Sequence, residues 1–171
     1  MGSESVGLSN QQTLLRIGEL APPFEAQTTH GPLKLSDLAG RWVLLFSHPA
    51  DFTPVCTTEF VAFARRYEEF AGRNVQLVGL SVDSIYAHLA WIRNIEERLG
   101  VRIPFPVIAD LSMEVARRYG MIHPQEGSTA TVRAVFVIDD RQVLRAMIYY
   151  PMSTGCNVDE ILRVIDSLQT V

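Results

Sequence analysis

Apolar runs and stretches of helical period alternate along the first part of the chain. Residues 42–46 form a continuous apolar run, short enough for a strand buried on both faces. Residues 75–81 repeat that pattern, and residues 85–99 have the period of an amphipathic helix closed by Gly100. Between the two strands, apolar residues recur at helical spacing up to Gly72, namely Phe60, Phe63, Ala64, Tyr67 and Phe70. Two successive strand–helix units predict a parallel strand pair joined by a crossover.

The segments on either side of these units carry weaker signals. Residues 33–38 are predicted to form a short strand that runs into a turn. Pro104 and Pro106 favour an extended segment, residues 113–119 a short helix, and residues 127–129 a loop. None of these assignments changes the alternating order of strands and helices.

The pattern changes in the last third of the chain. Residues 133–138 and 143–150 are two β-rich runs joined by a short turn, which predicts an antiparallel hairpin. Asn157 is the predicted N-cap of a final helix, residues 158–168, whose apolar residues form one stripe. A βαβ half followed by a ββα half is the order of the thioredoxin-like fold. We therefore expect an α/β protein with a central mixed β-sheet flanked by helices.

Composition and charge narrow the classes of function. The 171 residues are 47% hydrophobic, which suits a single globular domain spanning residues 1–171. A net charge of −4 without basic runs argues against nucleic-acid binding. No apolar run reaches the length of a membrane span, and the polar segment of residues 1–15 has no signal-peptide core. These features predict a cytoplasmic protein without a membrane partner.

The candidate chemistry lies in two cysteines. Cys56 and Cys156 form no CxxC pair, which in a chain without a signal suggests a reducing compartment. Cys56 follows Pro54 at the start of a helical pattern, so we expect it in the first turn of a helix. Helix N-termini carry unpaired N–H groups and partial positive charge, which favour the nucleophilic thiolate. The alternative is a buried and inert cysteine, a common role for this residue type.

The stretch around Cys56 carries a longer motif. Pro49, Thr53 and Cys56 have the spacing Pro-x-x-x-Thr-x-x-Cys, within residues 46–59, which read Phe-Ser-His-Pro-Ala-Asp-Phe-Thr-Pro-Val-Cys-Thr-Thr-Glu. The short motif resembles the active-site signature of the peroxiredoxins, and the longer string is similar to their one-cysteine, peroxiredoxin-6-like group. Further matches to this group lie at residues 80–84, 88–92, 131–136 and 157–163. The resemblance covers nearly the whole chain.

The resemblance implies catalytic roles for four residues. Cys56 would be the peroxidatic nucleophile, whose thiolate displaces one oxygen of a peroxide and becomes a sulfenic acid. By the same resemblance, Thr53 would hydrogen-bond the thiolate and the peroxide, Pro49 would shield the thiolate from water, and Arg133 would hold the thiolate. The ordinary alternatives are a helix cap for Thr53, loop rigidity for Pro49 and a solvated surface charge for Arg133.

Two more polar residues fall near the motif. His48 matches a histidine that the relatives use near the peroxide, and a structural hydrogen bond is its alternative. Glu59, three positions after Cys56, is expected on the same helical face, where it could bind and orient active-site arginines, or it is simply a favourable charge in the first turn. The remaining histidines show no ligand spacing, namely His30, His88 and His123. We expect neither a metal site nor a cofactor.

The sequence departs from the family pattern at Cys156, where the relatives usually carry a second active-site arginine. A thiol at this position could resolve the sulfenic acid of Cys56 as an intramolecular disulfide, which requires Cα atoms within about 7 Å. We expect no C-terminal extension after Val171 of the kind that helps one-cysteine relatives to dimerise. Residues 147–150 nevertheless suit an edge strand that pairs with its copy, so we expect a homodimer or a larger homo-oligomer.

The leading hypothesis is a thiol-dependent peroxidase in antioxidant defence. It would reduce hydrogen peroxide and alkyl hydroperoxides through Cys56 and be re-reduced by an external thiol such as thioredoxin, glutaredoxin or glutathione, or through Cys156. A second hypothesis is a peroxide sensor or holdase of the same fold, in which oxidation of Cys56 changes assembly. A third, a disulfide oxidoreductase or passive binding module, is disfavoured because Thr53 stands where a CxxC pair would place its other cysteine.

Overall fold

One mixed β-sheet organises the molecule. The computed structural model describes residues 15–127, 130–151 and 154–170. The strands in these segments are β1 (Glu25–Thr28), β2 (Gly31–Lys34), β3 (Trp42–Ser47), β4 (Val75–Ser81), β5 (Val107–Ala109), β6 (Arg133–Ile138) and β7 (Leu144–Tyr150). The helices are α1 (Pro54–Arg65), α2 (Tyr67–Ala71), α3 (Ile85–Leu99), α4 (Glu114–Arg118) and α5 (Val158–Gln169), with a 3-10 helix at Leu35–Leu38.

The centre of the sheet is parallel and its edges are antiparallel. The strand order is β2-β1-β5-β4-β3-β6-β7. Strands β3 and β4 run parallel with Leu45 opposite Val78, joined by the crossover through α1 and α2. Strands β6 and β7 form an antiparallel hairpin on the other side of β3. The predicted α/β class, the parallel pair and the hairpin are confirmed.

Strands β3 and β4 are buried on both faces, as their continuous apolar runs predict. Side chains of neighbouring strand residues point to opposite faces, so Leu44 and Phe46 join one hydrophobic cluster and Val43 and Leu45 join the other. Helices α1, α3 and α5 cover the first cluster, and α4 covers the second. Cys56 belongs to the first cluster, so the candidate nucleophile is buried within the main core.

The sequence prediction is wrong for part of residues 33–38. Strand β2 ends at Lys34, earlier than predicted, and the turn expected at Ser36 and Asp37 lies within a 3-10 helix, Leu35–Leu38. The Lys34 N–H donates to Asp37 Oδ2 at 3.0 Å, a local side-chain bond that competes with strand pairing. Strands β1 and β5 have no sequence prediction, because runs of four and three residues are too short to show a period.

The helix expected to run to Gly72 divides at Arg66. Its ψ of 14° lies outside the helical region, and α2 begins at the next residue. The boundaries of α3 match the prediction, with Ser84 Oγ accepting from the Ala87 N–H and Gly100 closing the helix at a φ of 65°. The predicted loop at residues 127–129 lies mostly outside the described residues. Across the described segments, no helix has the length and apolar character needed to cross a membrane.

Candidate active site

The loop between β3 and α1 delivers Cys56 to the first turn of α1. Thr53 is the N-cap, and Pro54 follows at the start of the helix, where a missing N–H costs no hydrogen bond. Thr53 Oγ1 accepts from the Cys56 N–H at an N···O distance of 3.3 Å. The Cys56 side chain is fully buried. Its position in the first helical turn is the one that the sequence predicts.

Arg133 reaches Cys56 from the start of β6. Strand β6 pairs with β3 so that Ala134 lies opposite Ser47, which places Arg133 beside the loop that leaves β3. Arg133 Nη2 donates to Cys56 Sγ at 3.1 Å, and both residues are buried. A guanidinium stays protonated in proteins, and burying it is costly unless negative groups are near. These surroundings suit a sulfur that carries negative charge.

Glu59 connects Arg133 to the loop before α5. Its Oε2 lies 3.6 Å from Arg133 Nη1 and accepts the Cys156 N–H at 2.9 Å. Burial raises the pKa of Glu59, although the Cys156 N–H and Arg133 oppose this shift. Burial also raises the pKa of the Cys156 thiol, and the Glu59 carboxylate raises it further. Cys156 is therefore a protonated thiol at neutral pH.

A cluster of two histidines and one aspartate lies beside this network. Asp51 Oδ1 is 2.6 Å from His48 Nε2, and Asp51 Oδ2 is 2.6 Å from His88 Nδ1. All three side chains are almost fully buried. Burial alone raises the pKa of Asp51, but the hydrogen bonds to His48 and His88 outweigh it and lower the pKa to about 2. Burial lowers the pKa of His48, so Asp51 is the ionised member of this pair.

The His48 ring packs between aromatic side chains. Its centroid lies 4.9 Å from that of Phe60 and 5.0 Å from that of Trp91. Trp91 Nε1 in turn donates to Thr57 Oγ1 at 3.1 Å, which ties α3 to the first turns of α1. The backbone carbonyl of His48 accepts from Thr131 Oγ1 at 2.8 Å. The ring is thus held by α1 and α3 close to the helix turn that carries Cys56.

The structure brings most of the predicted site residues together. Cys56, Thr53, Arg133, Glu59 and Cys156 form one connected network. Within the described residues, both cysteines are free thiols. Two more predicted residues, His48 and Pro49, lie in the loop that precedes Cys56, the first buried and the second half-buried.

Sequence reasoning missed Asp51 and the convergence of His48 with His88. Asp51 lies inside the recognised motif, three positions after His48, and this spacing was the available signal. His88 comes from α3, and no spacing along the chain shows that it meets Asp51. The donor atoms of this cluster, all within 4.8 Å of one another, are of kinds that bind metals. The two 2.6 Å contacts are hydrogen-bond distances, so protons lie where a metal would have to enter.

A pocket of about 280 Å³ opens beside the Cys156 side of the network. Its lining includes Val55 and Glu59 from α1, and Gly155 and Cys156 from the loop before α5. Cys156 is half-buried at this pocket, whereas Cys56 has no exposed surface. The two thiols therefore differ in access to solvent.

A buried guanidinium beside a helix-start cysteine is the environment of an enzyme that reacts through a thiolate. The fold and the site together define a thiol-dependent oxidoreductase of thioredoxin-like architecture. A model of the AhpC/TSA family matches residues 17–147. The chain belongs to this family, and its relatives are peroxiredoxins, so it is a peroxidase. The resemblance inferred from residues 46–59 is thereby confirmed.

Two relatives that are themselves named peroxiredoxins match over most of this chain. A peroxiredoxin of Aquifex aeolicus (strain VF5) is 66% identical over 159 residues, which cover 92% of this chain and 72% of the relative. A peroxiredoxin 2 of Caldanaerobacter subterraneus subsp. tengcongensis is 57% identical over 171 residues, or 100% of this chain and 77% of the relative.

Solved structures of peroxiredoxins share the fold. A mutant of the peroxiredoxin 6 of Arenicola marina superposes with a TM-score of 0.85 at 44% identity, over 91% of this chain and 74% of that one. A yeast mitochondrial 1-Cys peroxiredoxin, described with glutathione and thioredoxin systems, gives a TM-score of 0.85 at 47% identity, over 92% and 78%. These two structures are a peroxiredoxin 6 and a 1-Cys peroxiredoxin, the group that residues 46–59 resemble.

Proposed function

We propose that Cys56 is the peroxidatic nucleophile and that the substrates are hydrogen peroxide and alkyl hydroperoxides. The observation that carries this proposal is the 3.1 Å contact of Arg133 Nη2 with the buried Cys56 Sγ. The thiolate attacks one peroxide oxygen, the O–O bond breaks, and the sulfur becomes a sulfenic acid. The departing oxygen takes up a proton and leaves as water or an alcohol.

Three neighbours assist Cys56 in this proposal. Arg133 stabilises the charge that passes from sulfur to the departing oxygen, because a fixed guanidinium can donate to both. The Thr53 hydroxyl accepts the Cys56 N–H and donates to the Ala50 carbonyl at 3.4 Å, a long bond that its proton would give up to bind the thiolate or the peroxide. His48 contacts the peroxide, and Pro49 keeps water from the thiolate.

An external thiol re-reduces Cys56 in this proposal. The raised pKa of Cys156 keeps its thiol protonated, which makes it a slow nucleophile toward a sulfenic acid. A thioredoxin, glutaredoxin or glutathione would supply the electrons. The alternative, resolution by Cys156, has one observation in its favour: Glu59 joins Cys156 to the same network as Cys56.

Intact-mass analysis after one equivalent of peroxide tests nucleophile and resolver together. Wild type and Cys156→Ser should each gain one oxygen, and Cys56→Ser should gain none. A disulfide that forms in the wild type but not in Cys156→Ser would show that Cys156, and not an external thiol, resolves the sulfenic acid. Turnover with dithiothreitol completes the test, because a protein that stops after one oxidation is a peroxide sensor rather than a peroxidase.

The cellular role follows from the same chemistry. We place the enzyme in cytoplasmic antioxidant defence as a homodimer or larger homo-oligomer. Strand β7 is an edge strand of the sheet and pairs only with β6 among the described strands. Its first residue, Leu144, exchanges backbone hydrogen bonds with Gly18 and Glu19, so a copy would pair along the residues that follow. Sedimentation velocity tests this assembly, and a monomer at all micromolar concentrations would contradict it.

A further inference from the structure

The hydrogen bonds of the His48–Asp51–His88 cluster require three protons. Two neutral imidazoles and one carboxylate carry only two. His88 Nε2 lies 3.0 Å from the Ile108 carbonyl, which can only accept, so Nε2 carries a proton. The two 2.6 Å contacts of Asp51, with His88 Nδ1 and with His48 Nε2, need one proton each. Two neutral imidazoles provide two of these three protons. The third makes the net charge of the cluster zero.

A net charge of zero agrees with the burial of the cluster. The side chains of both histidines are 0% exposed and that of Asp51 is 3% exposed, and an unbalanced charge at such a place would be costly. His48 Nε2 holds the proton of its own contact with Asp51, so the third proton lies in the contact between Asp51 Oδ2 and His88 Nδ1. The nearby Asp83 accepts the Asp51 N–H at 2.8 Å and the Ser81 hydroxyl at 3.1 Å, which fixes the backbone of Asp51.

The tautomer of His48 follows from this arrangement. With the proton on Nε2 directed at Asp51, Nδ1 carries a lone pair. His48 Nδ1 is buried and has no hydrogen-bond partner among the described residues. The ring contacts with Phe60 and Trp91 are apolar and offer no competing acceptor for a proton on Nδ1. A buried acceptor without a donor is a site where an incoming O–H group would be bound.

We propose that Asp51, charge-balanced by His88, is a positioning residue that keeps His48 Nδ1 as an unprotonated acceptor for the peroxide O–H. This inference rests on the proposed function, which places His48 at the peroxide. His48 accepts a hydrogen bond and keeps its own proton, so the balance of the reaction at Cys56 is unchanged. The same tautomer lock orients histidines in other active sites, where the partner carboxylate contributes through orientation.

Nitrogen–proton correlation spectra of enzyme labelled with nitrogen-15 histidine test the tautomer directly. The wild-type spectrum near neutral pH should show His48 with a proton on Nε2 and none on Nδ1, assigned by comparison with His48→Asn. It should show His88 with a proton on Nε2, the nitrogen that faces the Ile108 carbonyl. In Asp51→Asn, the carboxamide can donate to His48 Nε2, so His48 should shift toward the other tautomer.

Kinetic measurements distinguish a positioning role of Asp51 from a role in folding. Asp51→Asn should lower kcat/KM for hydrogen peroxide about 10-fold to 100-fold. Alkylation of Cys56 by iodoacetamide, in a Cys156→Ser background, should change much less, because that reaction needs no acceptor for an O–H group. Asp83→Asn is the matched control, since its carboxamide oxygen still accepts the Asp51 N–H. It should keep the wild-type tautomer and nearly the wild-type rate.

Two results would overturn the inference. One is a wild-type His48 with the proton on Nδ1, and the other is an Asp51→Asn protein that keeps both the tautomer and the rate. If Asp51→Asn does not fold, the wild-type spectrum and His88→Gln decide, and His88→Gln should also lower the peroxide rate. Failure of the proposed function would be distinct, because Cys56→Ser would then still reduce peroxide whatever the His48 tautomer.

Discussion

At the residue scale, Arg133 contacts two acidic side chains. Its guanidinium donates to Cys56 Sγ through Nη2 and lies 3.6 Å from Glu59 through Nη1. One cation thus faces both a thiol group and a carboxyl group, and burial raises the pKa of Glu59 although Arg133 opposes this shift. The fork of the guanidinium matters here, because a lysine would offer one charged centre in place of two separated donors.

Arg133→Lys should therefore lower the peroxidase rate even though the charge is kept. We expect a loss of about 100-fold in kcat/KM for hydrogen peroxide, comparable with removing one donor to a developing negative charge. Steady-state kinetics with dithiothreitol measure it. Arg145→Lys is the control, since Arg145 lies partly exposed over Trp42 and near Asp139. Equal activity of the two variants would contradict the role of the guanidinium fork.

The sequence identifies Cys56, Thr53 and Arg133 through a motif, but it does not show Asp51 bonded to His88. A motif records which residue types stand at which spacing. The Asp51–His88 contact depends on how α3 packs against the loop after β3, and these segments are separated by 37 positions. Such a contact is set by tertiary packing and has no local pattern.

At the element scale, the proposed function gives Thr53 two roles. It caps α1 through the Cys56 N–H, and in the proposal its proton, which lies 3.4 Å from the Ala50 carbonyl, turns to the reacting atoms. Thr53→Asn should keep the cap, because asparagine is a strong N-cap residue, while it removes the hydroxyl. Urea unfolding should then show nearly wild-type stability and peroxide kinetics a clear loss, whereas Thr53→Ser should retain both.

Ser84, the N-cap of α3, provides a comparison for the capping role of Thr53. Ser84→Ala removes the bond from the Ala87 N–H and should cost about 1 kcal/mol of stability without lowering the peroxidase rate. Full peroxidase activity in Thr53→Asn would show that Thr53 acts as a cap alone.

Gly79 in β4 leaves room for the aromatic packing behind Cys56. A Cβ built there would lie 3.0 Å from Phe60 Cζ and 3.5 Å from Phe46 Cζ. Gly79→Ala should destabilise the fold by about 1–3 kcal/mol through overpacking, as measured by urea unfolding. Because Phe60 packs on His48, the peroxide rate should fall as well. An unchanged unfolding midpoint would mean that Phe60 moves freely, against the packing described above.

Periodicity predicts the long elements well and the short ones poorly. Strands β3 and β4 and helix α3 follow from continuous apolar runs and a clear helical period. The sequence does not predict the break at Arg66, because apolar residues keep the helical spacing across it. At that residue the guanidinium bonds to Glu69, three positions further on, and to Asp159 of α5, and the second of these is a tertiary contact.

At the scale of the whole molecule, the site is assembled from five separate segments of the chain. Its parts come from the end of β3, the start of α1, the first turns of α3, the start of β6 and the loop before α5. Parallel pairing of β3 with β4 and antiparallel pairing of β3 with β6 bring these ends to one edge of the sheet. The order of strands and helices predicts this gathering, while the individual contacts depend on packing.

The rate at which Cys56→Ser consumes peroxide shows whether Cys56 is the peroxidatic nucleophile. Wild type and Cys56→Ser are compared by stopped-flow at equal concentration with excess dithiothreitol, and Cys156→Ser serves as the control for loss of a thiol. We predict that Cys56→Ser consumes peroxide no faster than buffer with dithiothreitol, while Cys156→Ser stays close to wild type. A Cys56→Ser protein that consumes peroxide at the wild-type rate would contradict the account.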